Sequence, residues 1–160
     1  MKKLFVFGLA ATFFLACGND GNTNNDEQTP TSTEETTTAE VMTVEEYDPH
    51  RGEGKFKDVE LGALDPAKAA KGKVSYEMKC SSCHKLTDET LVGPGWKGVS
   101  KKHHPDWLLN FITNPDPMID KDPELQKQLE VCMVRMPNQN IEDDEAFAIV
   151  EFMRQNDGVK

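Results

Sequence analysis

The sequence predicts an all-α domain, a bundle of short helices behind a long polar N-terminal segment. Three observations carry this. A capping residue precedes proline at Asp65-Pro66, His104-Pro105 and Asp122-Pro123, the pattern of a helix start. Downstream of each, apolar residues recur at three- and four-residue spacing. No stretch of useful length alternates apolar and polar residues as a half-buried strand does.

The first residues stand outside this domain. Met1-Lys2-Lys3 is positive, and Leu4 to Ala16 is an apolar run broken by Gly8 and Thr12. Such a run is short for a membrane-spanning helix and suits a secretory signal over residues 1–16. It ends at Leu15-Ala16-Cys17, followed by Gly18-Asn19-Asp20. Small residues ahead of a cysteine resemble the lipobox of bacterial lipoproteins, with a departure at Phe14, where that family has a smaller aliphatic residue. The resemblance implies cleavage before Cys17 and acylation of its thiol. The mature chain would then be an exported protein, anchored by its N-terminal lipid to a bacterial membrane, with the domain facing the periplasm or the outside. Ordinary cleavage at Ala16, or an uncleaved anchor, is the plainer alternative. A buried acyl chain contributes about 0.8 kcal/mol per methylene to membrane attachment.

From Cys17 to Met42 the chain is Asn, Thr, Glu and Gly with almost no apolar residues. It cannot bury enough surface to offset its ordering entropy, so a disordered acidic linker is expected over 17–42. A coil of this length reaches about 25–30 Å. The net charge of the whole chain is −10. Asp20, Asp26, Glu27, Glu34, Glu35 and Glu40 supply six of those charges, so the linker holds most of the acidity. No basic face for nucleic acid is in view.

Residues 43–64 are an N-terminal extension of ambiguous structure. Val44, Tyr47, Phe56, Val59 and Leu61 could pack as an extended arm, and Gly52-Glu53-Gly54 argues against a helix. The domain proper is expected over 65–160. Its first helix starts at Asp65-Pro66 and runs through Ala69, Ala70, Val74 and Tyr76 into Cys80 and His84. Lys85 to Lys102, with Gly93-Pro94-Gly95 and Gly98, reads as a loop. The second helix carries Trp107, Leu108, Phe111 and Ile112 and ends near Asn114-Pro115. The third carries Leu125, Leu129, Cys132 and Met133 and is stopped by Pro137. The last begins near Glu142-Asp143 and places Ala146, Phe147, Val150 and Met153 on one stripe.

The chemistry lies in Cys80-Ser81-Ser82-Cys83-His84. Two thiols at this spacing can add to the two vinyl groups of a haem, and the adjacent histidine can reach the iron. A zinc site needs a second ligand pair, and Cys132, His50, His103 and His104 have no paired spacing. A dithiol redox site belongs in a βαβ context, which this sequence lacks. With Cys17 on lipid and Cys80 and Cys83 on haem, Cys132 is left over and no disulfide framework is required. A porphyrin also supplies an apolar centre for a domain with few aliphatic residues.

Residues 60 to 160 resemble the class I monohaem cytochromes c. The resemblance implies a cytochrome c-like helical bundle wrapped around one covalently attached haem c, with the first and last helices crossing over it. Cys80 and Cys83 match the thioether residues and His84 the proximal ligand. Pro94, within Gly93-Pro94-Gly95, matches the proline whose carbonyl accepts the histidine's second N–H. Gly72 and Tyr76 match the small and aromatic residues where the last helix crosses. Met136-Pro137-Asn138 matches the loop bearing the distal methionine. Read from the residues alone, the distal candidates are Met136, Met133, Met118, His103 and His104. Met136 precedes a helix-ending proline, so its side chain can leave the helical surface. Met133 and Met153 read as core, Trp96 and Trp107 as haem-pocket or core residues, and His103 and His104 as a turn and cap before Pro105.

Methionine and histidine together close the iron to substrates and raise its potential relative to two histidines, which makes an electron carrier and not an enzyme. The whole-chain pattern looks most like the lipoprotein cytochromes of Bacteroidetes-type bacteria associated with respiratory reductases. That likeness implies redox protein partners, a quinol-oxidising complex as donor and a terminal reductase, such as nitrous-oxide reductase, as acceptor. Lys79, Lys85, Lys97, Lys101 and Lys102 cluster around the motif and would steer docking onto acidic partners, unless they are simply solvated. Two alternatives stay open. One is a haem enzyme or sensor with an open distal site. The other is a copper-handling protein using Cys132 and Met136, four apart on one helix face.

Overall fold

The computed structural model describes residues 46–160. The expected signal over 1–16, the lipidation site Cys17, the linker over 17–42 and Val44 lie outside the described residues. Among the described residues six helices follow one another: α1 (Pro66–Lys79), α2 (Val99–Lys102), α3 (Pro105–Thr113), α4 (Pro115–Lys121), α5 (Pro123–Cys132) and α6 (Asp143–Asn156). No strand is present among the described residues, and His84 and Thr90 form an isolated antiparallel bridge. None of these helices is long and apolar enough to cross a membrane.

The expected caps form. Asp65 Oδ1 accepts the N–H groups of Ala67 and Lys68 at 2.9 and 3.1 Å. Asp122 Oδ1 does the same for Glu124 and Leu125 at 2.8 and 3.3 Å. These bonds satisfy donors that the first helical turn leaves without partners. α1 is shorter than expected. It stops at Lys79, with Cys80 as its C-cap, and Cys80 to His84 curl into a turn in which the Cys83 and His84 amides both donate to the Cys80 carbonyl.

α1 and α6 make the most extensive helix pairing of the fold. Gly72 permits it. A methyl group at this position would lie 1.9 Å from the Ala148 carbonyl oxygen, so the two backbones touch where the helices cross. Around the crossing, Tyr76, Ile149, Phe152 and Met153 join Trp107, Leu108 and Leu109 of α3 in one core.

Two expectations about the middle of the domain are corrected. Pro115-Asp116-Pro117 does not merely end α3; Pro115 opens α4, because proline in a first turn gives up no internal hydrogen bond. α5 does not run to Pro137. It ends at Cys132, and Met133 adopts the left-handed conformation (φ 54°) with its N–H on Leu129 O. Met133 is therefore not a core residue but is 85% exposed, and Cys132 and Met136 do not share a helix face. Met153 is buried.

Residues 46–64 form an arm held by two buried polar side chains of α3. Asp106 accepts the amides of Asp58 and Val59 at 2.9 and 2.7 Å. Asn110 accepts the Phe56 amide at 2.9 Å and donates to the carbonyls of Arg51 and Phe56. Both side chains are almost inaccessible to solvent. They persist in the interior because a buried backbone amide without a partner costs about 1–3 kcal/mol. Phe56, Val59 and Leu61 then pack on the core. The arm is closed at its far end by Arg154, which donates to Gly62 O and pairs with buried Glu151.

Candidate functional site

The helices flank an open apolar cleft. Ile112, Ile119, Leu125, Leu129 and Ile149 form much of its wall. Cys80, Cys83 and His84 line it, and Met136 and Pro137 belong to the lining contributed by the chain after α5. The Cys80 and Cys83 thiols are free. Burial, reinforced by Glu145, pushes the Cys80 thiol up to about 11, so it stays protonated. A dithiol redox protein needs the opposite, a thiolate at neutral pH.

His84 is fixed from three directions. Its Nδ1 lies 2.8 Å from the Pro94 carbonyl oxygen. A carbonyl can only accept, so Nδ1 carries the proton and Nε2 keeps its lone pair. Gly93 sits against the ring, where a methyl group would come within 2.4 Å of Cε1. Behind it, the Tyr76 hydroxyl donates to the His84 carbonyl at 2.7 Å. Burial lowers the pKa of His84, outweighing the opposing effect of the Pro94 bond, so the ring is a neutral donor. Trp96 lies beside it at 5.8 Å between ring centres and packs on Tyr76 at 4.8 Å.

The distal candidates separate in space. Met136 lines the cleft. Met133 points to solvent. Met118 is fully buried under the arm, its Sδ accepting the Glu53 amide at 2.8 Å. His103 stacks on Trp107 at 3.8 Å, and His104 caps α3, its Nδ1 3.5 Å from the Asp106 amide. Neither histidine belongs to the cleft lining. Cys132 does line the cleft. Among the described residues, no three His, Cys, Asp or Glu side chains gather as a metal cage.

The lysines around the motif are partly neutralised. Lys79 pairs with Glu145 at 2.8 Å, Lys85 with Glu89 at 2.6 Å and Lys97 with Asp88 at 3.3 Å. Lys101 and Lys102 are exposed on α2.

Sequence reasoning did not single out Asp106, Asn110 or Arg135. The signal for the first two was a polar residue at buried helical positions beside Trp107, Leu108 and Leu109. Arg135 had none, because its partners lie on a helix that was not expected.

A haem fits these residues. The two cysteines and the histidine line one cleft, the Pro94 bond leaves the histidine one free ring nitrogen, and the walls are apolar. An all-α domain closed around such a cleft defines a c-type haem protein. Residues 69–157 match the family model Cytochrome c, and the chain belongs to that family. It is a haem electron-transfer cytochrome with one covalently attached haem c. A cytochrome c from Rhodothermus marinus shares 31% identity, with a TM-score of 0.62 over 65% of this chain and 90% of that one. An engineered form of that protein, bound to a carbene intermediate, shares 30% identity over the same proportions, with a TM-score of 0.59. No curated protein gives a match.

Proposed function

We propose that this chain is a membrane-tethered carrier of single electrons in which His84 and Met136 would hold the haem iron. The observation that carries the reading is that His84 and Met136 line the same cleft. Bound haem supplies a one-electron ferric/ferrous couple. The chain's own residues do the rest. Cys80 and Cys83 hold the group, and the Pro94 carbonyl fixes the His84 ring and raises its basicity. The apolar wall limits water, and Met136 would close the iron to substrates.

The lipobox-like ending at Cys17 supports a lipid anchor, and the polar stretch behind it supports a tether. A quinol-oxidising complex as donor and a terminal reductase as acceptor, nitrous-oxide reductase among them, fit a carrier held at a respiratory membrane. Exposed Lys101 and Lys102 would favour acidic docking faces.

The test is a potentiometric titration of the matured holoprotein, followed by cyanide. A carrier gives a single one-electron wave and binds cyanide slowly. Immediate cyanide binding would favour the enzyme or sensor reading, for which the carbene-bound engineered relative offers a precedent. Mass spectrometry of the mature protein tests the anchor; a chain beginning at Cys17 without acyl mass would refute it.

A further inference from the structure

The arm and the loop that carries Met136 are attached to the same short helix. On one side, Met118 of α4 accepts the Glu53 amide at 2.8 Å, and Lys121 pairs with Glu53 at 2.9 Å. Directly after α4, Asp122 Oδ2 accepts the Tyr47 hydroxyl at 2.5 Å and the Trp107 indole N–H at 3.0 Å. A methyl at Gly52 would lie 2.4 Å from Met118 Sδ, so the arm sits directly on α4. From the other direction, Arg135 Nε reaches Asp116 Oδ1 at 2.7 Å. Its Nη2 reaches Asp116 O at 3.0 Å and Asp120 Oδ1 at 2.8 Å. Among the described residues, Arg135 carries the hydrogen bonds that join residues 134–141 to another element.

We propose that the arm, α4 and Arg135 form a brace that keeps the Met136 loop closed over the cleft. Arg135 and Tyr47 are then positioning residues. The proposal rests on the reading of Met136 as distal ligand. The loop has no helix or ladder of its own, and such segments open locally more readily than the core. A guanidinium bonded to two carboxylates and a carbonyl fixes a direction as well as a distance, which an ammonium does not. Tyr47 acts further back, by tying the arm to the carboxylate that also caps α5. Ile119, Leu125 and Leu129 of α4 and α5 face the cleft, so a shift of this junction moves its wall.

The test measures how fast imidazole replaces the distal ligand in the oxidised holoprotein, a rate limited by loop opening. Arg135→Gln should raise it roughly three- to fivefold, as expected for an exposed ionic network. Arg135→Lys should recover part of the difference, and Tyr47→Phe should raise the rate about twofold. Salt at about 0.5 M, which shortens the screening length to roughly 4 Å, should speed the parent protein and leave Arg135→Gln unchanged. The amides of α1 and α6 should keep their exchange protection in both variants. Parent rates in both Arg135→Gln and Tyr47→Phe, with the methionine signature lost in Met136→Ala, overturn the brace alone. Retention of that signature in Met136→Ala overturns the ligand reading beneath it.

Discussion

The Nδ1 atom of His84 lies 2.8 Å from the carbonyl oxygen of Pro94, ten residues later in the chain. This bond decides which nitrogen carries the proton and which keeps its lone pair. The turn that delivers Pro94 is anchored by the motif itself, since the Val92 and Gly93 amides both donate to Cys83 O. Ligand and orienting carbonyl therefore belong to one local unit.

Gly93→Ala should disrupt that unit. The added methyl would lie within 2.4 Å of the His84 ring, so either the ring or the turn must move. A loss of about 1–3 kcal/mol is expected from overpacking, together with a changed haem spectrum. Denaturant unfolding and visible absorption of the holoprotein check both.

Gly72→Ala acts at a distance from the site but on the same scaffold. Its methyl would meet the Ala148 carbonyl at 1.9 Å, and backbone cannot swing aside as a side chain does. The α1–α6 crossing must open, at a cost of about 3 kcal/mol or more. A fall in Tm that leaves the haem stoichiometry of the surviving folded protein unchanged is the expected outcome.

Tyr76→Phe removes one hydroxyl and little else. The lost bond to the His84 carbonyl is part-buried, so about 1 kcal/mol of stability should go. The ring remains to pack on Trp96 and Phe152, and haem attachment should be unaffected.

The arm's anchor should depend on pH at both ends. Burial alone would raise the Asp122 carboxyl, but the bonds from Tyr47, Trp107 and the α5 amides hold it below the usual carboxylate value. Its stabilisation is complete above about pH 4 and is lost as pH falls through the lowered folded value. Tyr47 is raised, by burial first and then by Asp122, so its stabilisation is complete below about pH 10 and is lost at more alkaline pH. His103 adds to the acid side. Burial and the nearby Lys102 lower it to about 4, so the folded state disfavours its charged form, and stability falls between about pH 6.5 and 4. NMR titration of His103, with amide exchange of the arm across pH, follows all three; a His103 that titrates near its ordinary value would contradict this account.

The motif and the helix starts were legible because they are local. Asp65-Pro66 and Asp122-Pro123 set caps within three residues, and Cys80 to His84 declares its chemistry in five. Pro94, Gly72 and Tyr76 could be named by resemblance, and their contacts with His84 and α6 give them physical work. What escaped is non-local. α4 was hidden because two prolines around Asp116 look like a break, although the first merely opens a helix. The early end of α5 was hidden because Met133, a good helix former, takes a left-handed conformation more usual for glycine. The arm was ambiguous because its partners, Asp106, Asn110 and Asp122, lie roughly 50 to 75 residues away and resemble ordinary polar helix positions until their burial is known.

The most direct test of the central claim is the visible spectrum of the oxidised, haem-loaded protein beside that of Met136→Ala. Ligation by His84 and Met136 predicts a weak band near ~695 nm that disappears in the variant, which should then bind cyanide at once. A parent spectrum without that band, or a band that survives the substitution, would contradict it.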